Sequence, residues 1–80
     1  MPIRAFVLIT TKPGTSEEVV KARKIRGVKL ANSTFGRFDA VVVIEAKNFE
    51  ELKEIVYKMI EQLPNVVHTE TLISLFYPPE

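Results

Sequence analysis

An α+β fold with the element order βαββαβ follows from three observations on this chain. Two runs, Ala5-Phe6-Val7-Leu8-Ile9 and Ala40-Val41-Val42-Val43-Ile44, are continuously apolar and rich in branched side chains, which suit a pleated surface. A helical stretch with a polar side follows each run. The two halves also echo each other. Val7-Leu8-Ile9, Ser16-Glu17-Glu18-Val19-Val20 and Gly27-Val28 match Val42-Val43-Ile44, Phe49-Glu50-Glu51-Leu52 and Asn65-Val66 in order. Each half is then a βαβ unit, right-handed by the crossover rule. Interleaving two such units gives a ferredoxin-like fold: a four-stranded antiparallel sheet, strands 1 and 3 central, with two helices on one face. The helices cover only that face, and a second copy of the chain is the simplest cover for the other.

Strand 1 is predicted over Ile3–Thr10 and is broken by Lys12-Pro13-Gly14, a turn signal. Thr15 or Ser16 caps helix 1, Thr15 and Glu18 having the spacing of a capping box. Val19, Val20, Ala22 and Ile25 form its buried side, and Gly27 ends it. Val28–Ser33 alternates as an edge strand, with Val28 and Leu30 on one face and Lys29 and Ala31 on the other. The Ser33–Asp39 turn leads into strand 3, Ala40–Glu45. Asn48 caps helix 2, whose apolar positions are Phe49, Leu52, Ile55, Val56, Met59, Ile60 and Leu63. Pro64-Asn65 stops it, and Val66–Phe76 is strand 4. Tyr77-Pro78-Pro79-Glu80 is a tail whose prolines cannot join a ladder.

Eighty residues make one domain with a small core. The chain has no cysteine, so neither a disulfide nor a cysteine-based zinc site supports it, and assembly of protomers becomes the expected support. A net charge of +1 gives no reason to expect direct DNA binding or attachment to an anionic membrane. No run approaches the length needed to span a bilayer, and the N-terminal run lacks a cleavage pattern. A cytoplasmic location is expected, and the charged, cysteine-free composition fits a thermophile.

Enzyme signals are lacking: there is no Ser/His/Asp spacing, no phosphate-cradling glycine loop and no carboxylate pair in an apolar run. An acylphosphatase needs arginine in the glycine loop after strand 1, and Thr11-Lys12-Pro13-Gly14-Thr15 has none. Phe35-Gly36-Arg37-Phe38 superficially resembles an RNA-recognition strand, but strand 3 is aliphatic and offers no stacking platform. His68 has no second histidine or cysteine to share a metal, and no metal or cofactor is expected. Lys21, Arg23, Lys24, Arg26 and Lys29 form a basic cluster, which reads as a solvated face, a phosphate site or a contact with acidic residues of a neighbour. The Gly36-Arg37-Phe38-Asp39 turn either lets backbone and a carboxylate approach a small ligand or is a turn closed by Asp39. Thr69 and Thr71 share one face of strand 4 about 7 Å apart, where they either bind a polar ligand or serve as strand formers.

Several of these features occur together in a known family. An apolar strand ends in Lys12-Pro13-Gly14 with acids opening the next helix. Gly36-x-Phe38-Asp39 runs into an aliphatic strand, Asn48-Phe49-Glu50-Glu51-Leu52 opens helix 2, and Leu63-Pro64-Asn65-Val66 precedes Thr69-x-Thr71. From Ile3 to Phe76 the chain resembles the effector-binding (RAM) domain of the Lrp/AsnC, or feast/famine, regulators. The resemblance implies dimers joined through their sheets and rings of such dimers, commonly octamers. It also implies an amino-acid effector, or a similar metabolite, held between dimers. Carried over, the effector-binding positions are Gly36, Phe38, Asp39, Thr69 and Thr71, with Thr34. Relatives commonly have threonine directly before the glycine, where this chain has Phe35 with Thr34 one position earlier. Phe38 stands where many have tyrosine, which removes a hydroxyl. No helix-turn-helix is expected before the domain, and the chain is expected to act on full-length regulators by co-assembly and not to read DNA itself. Three other readings compete with this one. An ACT-type domain would hold ligand near Pro13-Gly14, a structural assembly module would bind none, and a monooxygenase-type dimer would rely on His68.

Overall fold

The computed structural model describes residues 2–75. Strands β1 (Ile3–Thr11), β2 (Val28–Ser33), β3 (Ala40–Ala46) and β4 (Val66–Ile73) form one sheet in the order β2-β3-β1-β4, and every neighbouring pair is antiparallel. The predicted ferredoxin-like fold is therefore the observed one, with strands 1 and 3 central. Strand 4 ends at Ile73, short of the expected Phe76; Phe76 and the Tyr77–Glu80 tail lie outside the described residues.

Alternation, hidden in sequence by the apolar runs, is strict in the structure. Ala5, Val7, Ile9 and Thr11 of β1 and Ala40, Val42, Ile44 and Ala46 of β3 are buried against the helices. The intervening residues point to the open face. There Phe6, Leu30 and Leu72 are 37%, 41% and 46% exposed, and Leu8, Val41 and Val43 are half-buried between them. Arg4 pairs with Glu45 at one margin of this apolar face, at 2.6 Å.

The faces assigned to β2 need correction. Val28 pairs with Ile44 but Leu30 pairs with Val43, a register shift that inserts Lys29 as a bulge. Beyond it the faces exchange, so Val28 and Ala31 both meet the core while Leu30 joins the open face. A bulge adds one unpaired residue and thereby inverts a period of two.

The first helix, Ser16–Lys24, is a 3-10 helix and not the expected α-helix. Its winding fits its sequence. At three residues per turn, positions three apart line up, and Val19, Ala22 and Ile25 have that spacing. Val19 and Ala22 are buried and Ile25 packs on the core, whereas Val20 is left half-exposed. No capping box forms, for the Thr15 hydroxyl donates to the Lys12 carbonyl at 2.6 Å. The helix stops at Lys24, and Gly27, with φ +94°, turns the chain into β2. The Gly27 carbonyl accepts from Glu45 N–H at 2.8 Å and so ties the turn to the end of β3.

The second helix starts as predicted: Asn48 Oδ1 accepts from Glu51 N–H at 2.9 Å, and Glu51 Oε1 accepts from Lys47 N–H at 2.8 Å. Its α-helical part, Phe49–Glu54, continues as a π-helical segment, Ile55–Ile60, in which Glu61 N–H donates to the Val56 carbonyl. Leu52, Ile55, Val56 and Ile60 are buried, and Leu63 packs at the margin. Phe49 and Met59, expected inside, are exposed. Among the described residues no helix is long and apolar enough to cross a membrane.

Candidate functional site

The Ser33–Asp39 turn enters β3 at the end of the sheet where β1 leaves it. Its base is closed by four hydrogen bonds. Thr34 N–H donates to the Asp39 carbonyl (2.8 Å), Asp39 N–H to the Ile9 carbonyl (2.9 Å), the Thr34 hydroxyl to the Phe38 carbonyl (2.8 Å), and Thr11 N–H to Asp39 Oδ2 (2.8 Å). The Asp39 carboxylate therefore closes no bond within its own turn; it pins the turn to β1. The other oxygen, Oδ1, accepts no hydrogen bond among the described residues, so one face of the carboxylate is available to a ligand.

The tip differs from the base. Gly36 has φ +142°, a conformation that side chains avoid, and Phe35 beside it is fully exposed. Phe38 is half-buried. Thr69 and Thr71 stand on β4 opposite Ile9 and Val7, which pair in turn with Ala40 and Val42. Thr69 thus shares a row with the start of β3, two strand spacings or roughly 10 Å away. Its hydroxyl donates to Glu61 Oε2 at 3.2 Å. His68, opposite Thr10, takes the other face.

Thr34, Phe38 and Asp39 are brought together, with Gly36 at the tip of the same turn; Thr69 lies toward that end of the sheet with β1 between, and Thr71 lies opposite Val7 at the middle of β1. The six residues do not enclose a common volume within one protomer. A hollow of about 250 Å³ at the start of β4 is lined by Thr69 with Glu61, Val66, Val67 and His68. A larger groove, about 610 Å³, contains none of the six. Nothing in the sequence hints at Thr11 as the partner of Asp39; it lies 28 positions away and only the strand register brings it near.

The bond to Asp39 predicts a stability effect. Thr11 is 7% exposed, so Asp39→Ala leaves its N–H buried without an acceptor, at a cost of about 1 to 2 kcal/mol. Asp39→Asn keeps an oxygen there and is expected to melt near the parent. Thermal denaturation of the two variants at equal concentration checks this, and equal melting of Asp39→Ala and parent would contradict it.

The fold and site together define a ferredoxin-like α+β domain with an uncovered apolar sheet face and a pinned polar turn at one end of the sheet. The Lrp/AsnC ligand binding domain matches residues 4–76, and the chain belongs to that family. Among solved structures it is similar to TTHA0845 from Thermus thermophilus, with 32% identity over 98% of this chain and 99% of that one and a TM-score of 0.86. It is also similar to hypothetical protein PHS023 from Pyrococcus horikoshii, with 28% identity over 94% and 92% and a TM-score of 0.84. The transcriptional regulator NMB0573 from Neisseria meningitidis, solved as an L-Met complex, shares the fold at 15% identity and a TM-score of 0.80. That match covers 98% of this chain but 53% of the regulator. A comparison with curated proteins found no match.

Proposed function

We propose that this domain binds an amino acid or a related small metabolite where subunits meet, and modulates transcription regulators of its family through effector-dependent assembly. The observation that carries the proposal is the incompleteness of the site. The pinned turn with its bare tip and Thr69, across β1 from the start of β3, do not enclose a ligand within one protomer, and in this reading a second subunit supplies the remaining wall. Family membership and the L-Met complex of the Neisseria regulator support an amino-acid effector. In this reading Asp39 Oδ1 holds the ligand ammonium, while Gly36 backbone, the Thr34 turn, Thr69 and Thr71 hold its polar groups and Phe38 its apolar part. Protomers pair through their open sheet faces, and dimers close into a ring, commonly of eight subunits. In this reading the domain is non-catalytic, acts in the cytoplasm and influences DNA binding through full-length regulators.

The physics is linkage. A ligand that touches two subunits stabilises the assembled form by its differential affinity and shifts the population toward it. Calorimetric titration with the common amino acids, L-methionine included, and sedimentation with and without each, is the test. Heat with at least one, accompanied by a larger sedimenting species and lost in Asp39→Asn, is expected. Absence of heat with all of them, and unchanged sedimentation, removes the effector role. One observation favours a second reading, a ligand-free assembly module: Asp39 and Thr34 already serve the turn itself. That reading predicts the same assembly in Asp39→Asn as in the parent, and no heat in either.

A further inference from the structure

At the far end of β3 from the effector turn, about 20 Å along the strand, the groove of about 610 Å³ lies between the Gly27 turn, the start of β2 and the second helix. We infer that this groove is a second, independent binding site, for a small carboxylate carried on an apolar body. Its volume is in the range of small-molecule sites. Its floor is apolar and comes from three elements: Ile25 after the first helix, Ala46 of β3, and Ile55 with Met59 of the second helix, the methionine being an adaptable side chain. Met59 is 45% exposed, an apolar side chain left beside this hollow although the helix pattern marks it for burial.

The charge around the groove favours one negative charge. Four cations, Arg26, Lys29, Lys47 and Lys58, face three carboxylates, Glu45, Glu51 and Glu54. The carboxylates are engaged: Glu45 pairs with Arg4, Glu51 accepts from Lys47 N–H, and Glu54 lies 3.9 Å from the Lys58 ammonium. Arg26, Lys29 and Lys47 have no ion-pair partner among the described residues. Among the described residues the lining thus holds one more charged side chain of positive sign than of negative. A monoanion balances it, whereas a dianion such as a phosphate ester would meet Glu51 and Glu54 with an excess charge. Arg26 and Lys29 belong to the basic cluster that reads in sequence as a solvated face. Lys47, distant in sequence, joins them because Glu45 N–H is bonded to Gly27. The effector turn shares no residue with the groove, so a ligand here does not depend on the effector reading.

The chain contains no tryptophan, so indole-3-acetate can report its own binding by indole emission. The intact protein is titrated with indole-3-acetate and, separately, with the neutral indole-3-acetamide. Saturable binding of the acetate is expected, weaker for the amide by about tenfold or more, and weakened by salt as a screened charge contact is. The double variant Lys29→Glu/Lys47→Glu changes two exposed side chains, and its circular dichroism verifies folding. It is expected to lose the acetate, whereas Asp39→Asn and Phe6→Glu bind it as the parent does. The proposal is overturned if the acetate does not saturate at millimolar concentration, if the amide binds equally well, or if the double variant still binds. Loss of binding in Asp39→Asn or Phe6→Glu also overturns it, by placing the probe at the turn or on the open sheet.

Discussion

Phe6→Glu is expected to hold the protein as single protomers at micromolar concentrations where the parent sediments as an assembly. Phe6 lies within the apolar open face, between Val43 of β3 and Leu72 of β4. A two-fold interface places the same residue on both sides, so one substitution introduces two carboxylates. Removing each from water without a partner costs several kcal/mol. Together they weaken the dimer by about a thousandfold or more, since each 1.4 kcal/mol is a factor of about ten. Sedimentation velocity over a concentration series measures this. The sheet-face dimer is refuted if Phe6→Glu sediments as the parent does, or if the parent itself is monomeric at those concentrations.

Gly27→Ala is expected to give the largest loss of folding stability among the single substitutions considered. The glycine has φ +94°, and a Cβ there would lie 2.8 Å from Ile55 Cδ1 and 3.2 Å from the Glu45 carbonyl oxygen. The backbone conformation costs a non-glycine residue about 1 to 2 kcal/mol. Crowding against a packed isoleucine and a strand carbonyl adds about 1 kcal/mol or more. A total of about 3 kcal/mol lowers Tm by roughly 12 to 24 °C in a domain of this size. Gly36→Ala is the control, for it shares a positive φ but a Cβ there meets nothing within 4 Å. Parallel thermal melts compare them, and a smaller loss for Gly27→Ala than for Gly36→Ala would reject the packing argument.

What could be read from the sequence was whatever depends on short range. The second helix was legible because Asn48, Glu51 and the positions from Leu52 to Ile60 satisfy cap and helical spacing within a few turns. The repeated βαβ pattern was enough to order the sheet. The first helix differs because its apolar positions recur every three residues, a spacing that an α-helix tolerates and that 3-10 winding lines up directly. Phe49 and Met59 obeyed the helical pattern yet lie outside the core. At the candidate site, the polar turn and the two threonines were visible as residue types. The Asp39 contact with Thr11 was not, because it depends on the β1–β3 register. The groove escaped for the same reason, as Lys47 meets Arg26 and Lys29 only through the tie between Gly27 and β3.

The inserted Lys29 reaches further than its own strand. Had β2 kept strict alternation from Val28, with Val28 still on Ile44, Leu30 would turn inward and Lys29 and Ala31 would turn outward. The greasy surface would then end at β3, and a cation would stand on its border. The bulge, and not the number of residues, therefore sets how wide a surface the protein offers to a copy of itself: without Lys29, Leu30 would follow Val28 directly and still face outward from Val43, whereas drawing Lys29 into the ladder turns Leu30 inward. A change that flattens this one irregularity would thus trim the adhesive surface while leaving every residue at its centre in place.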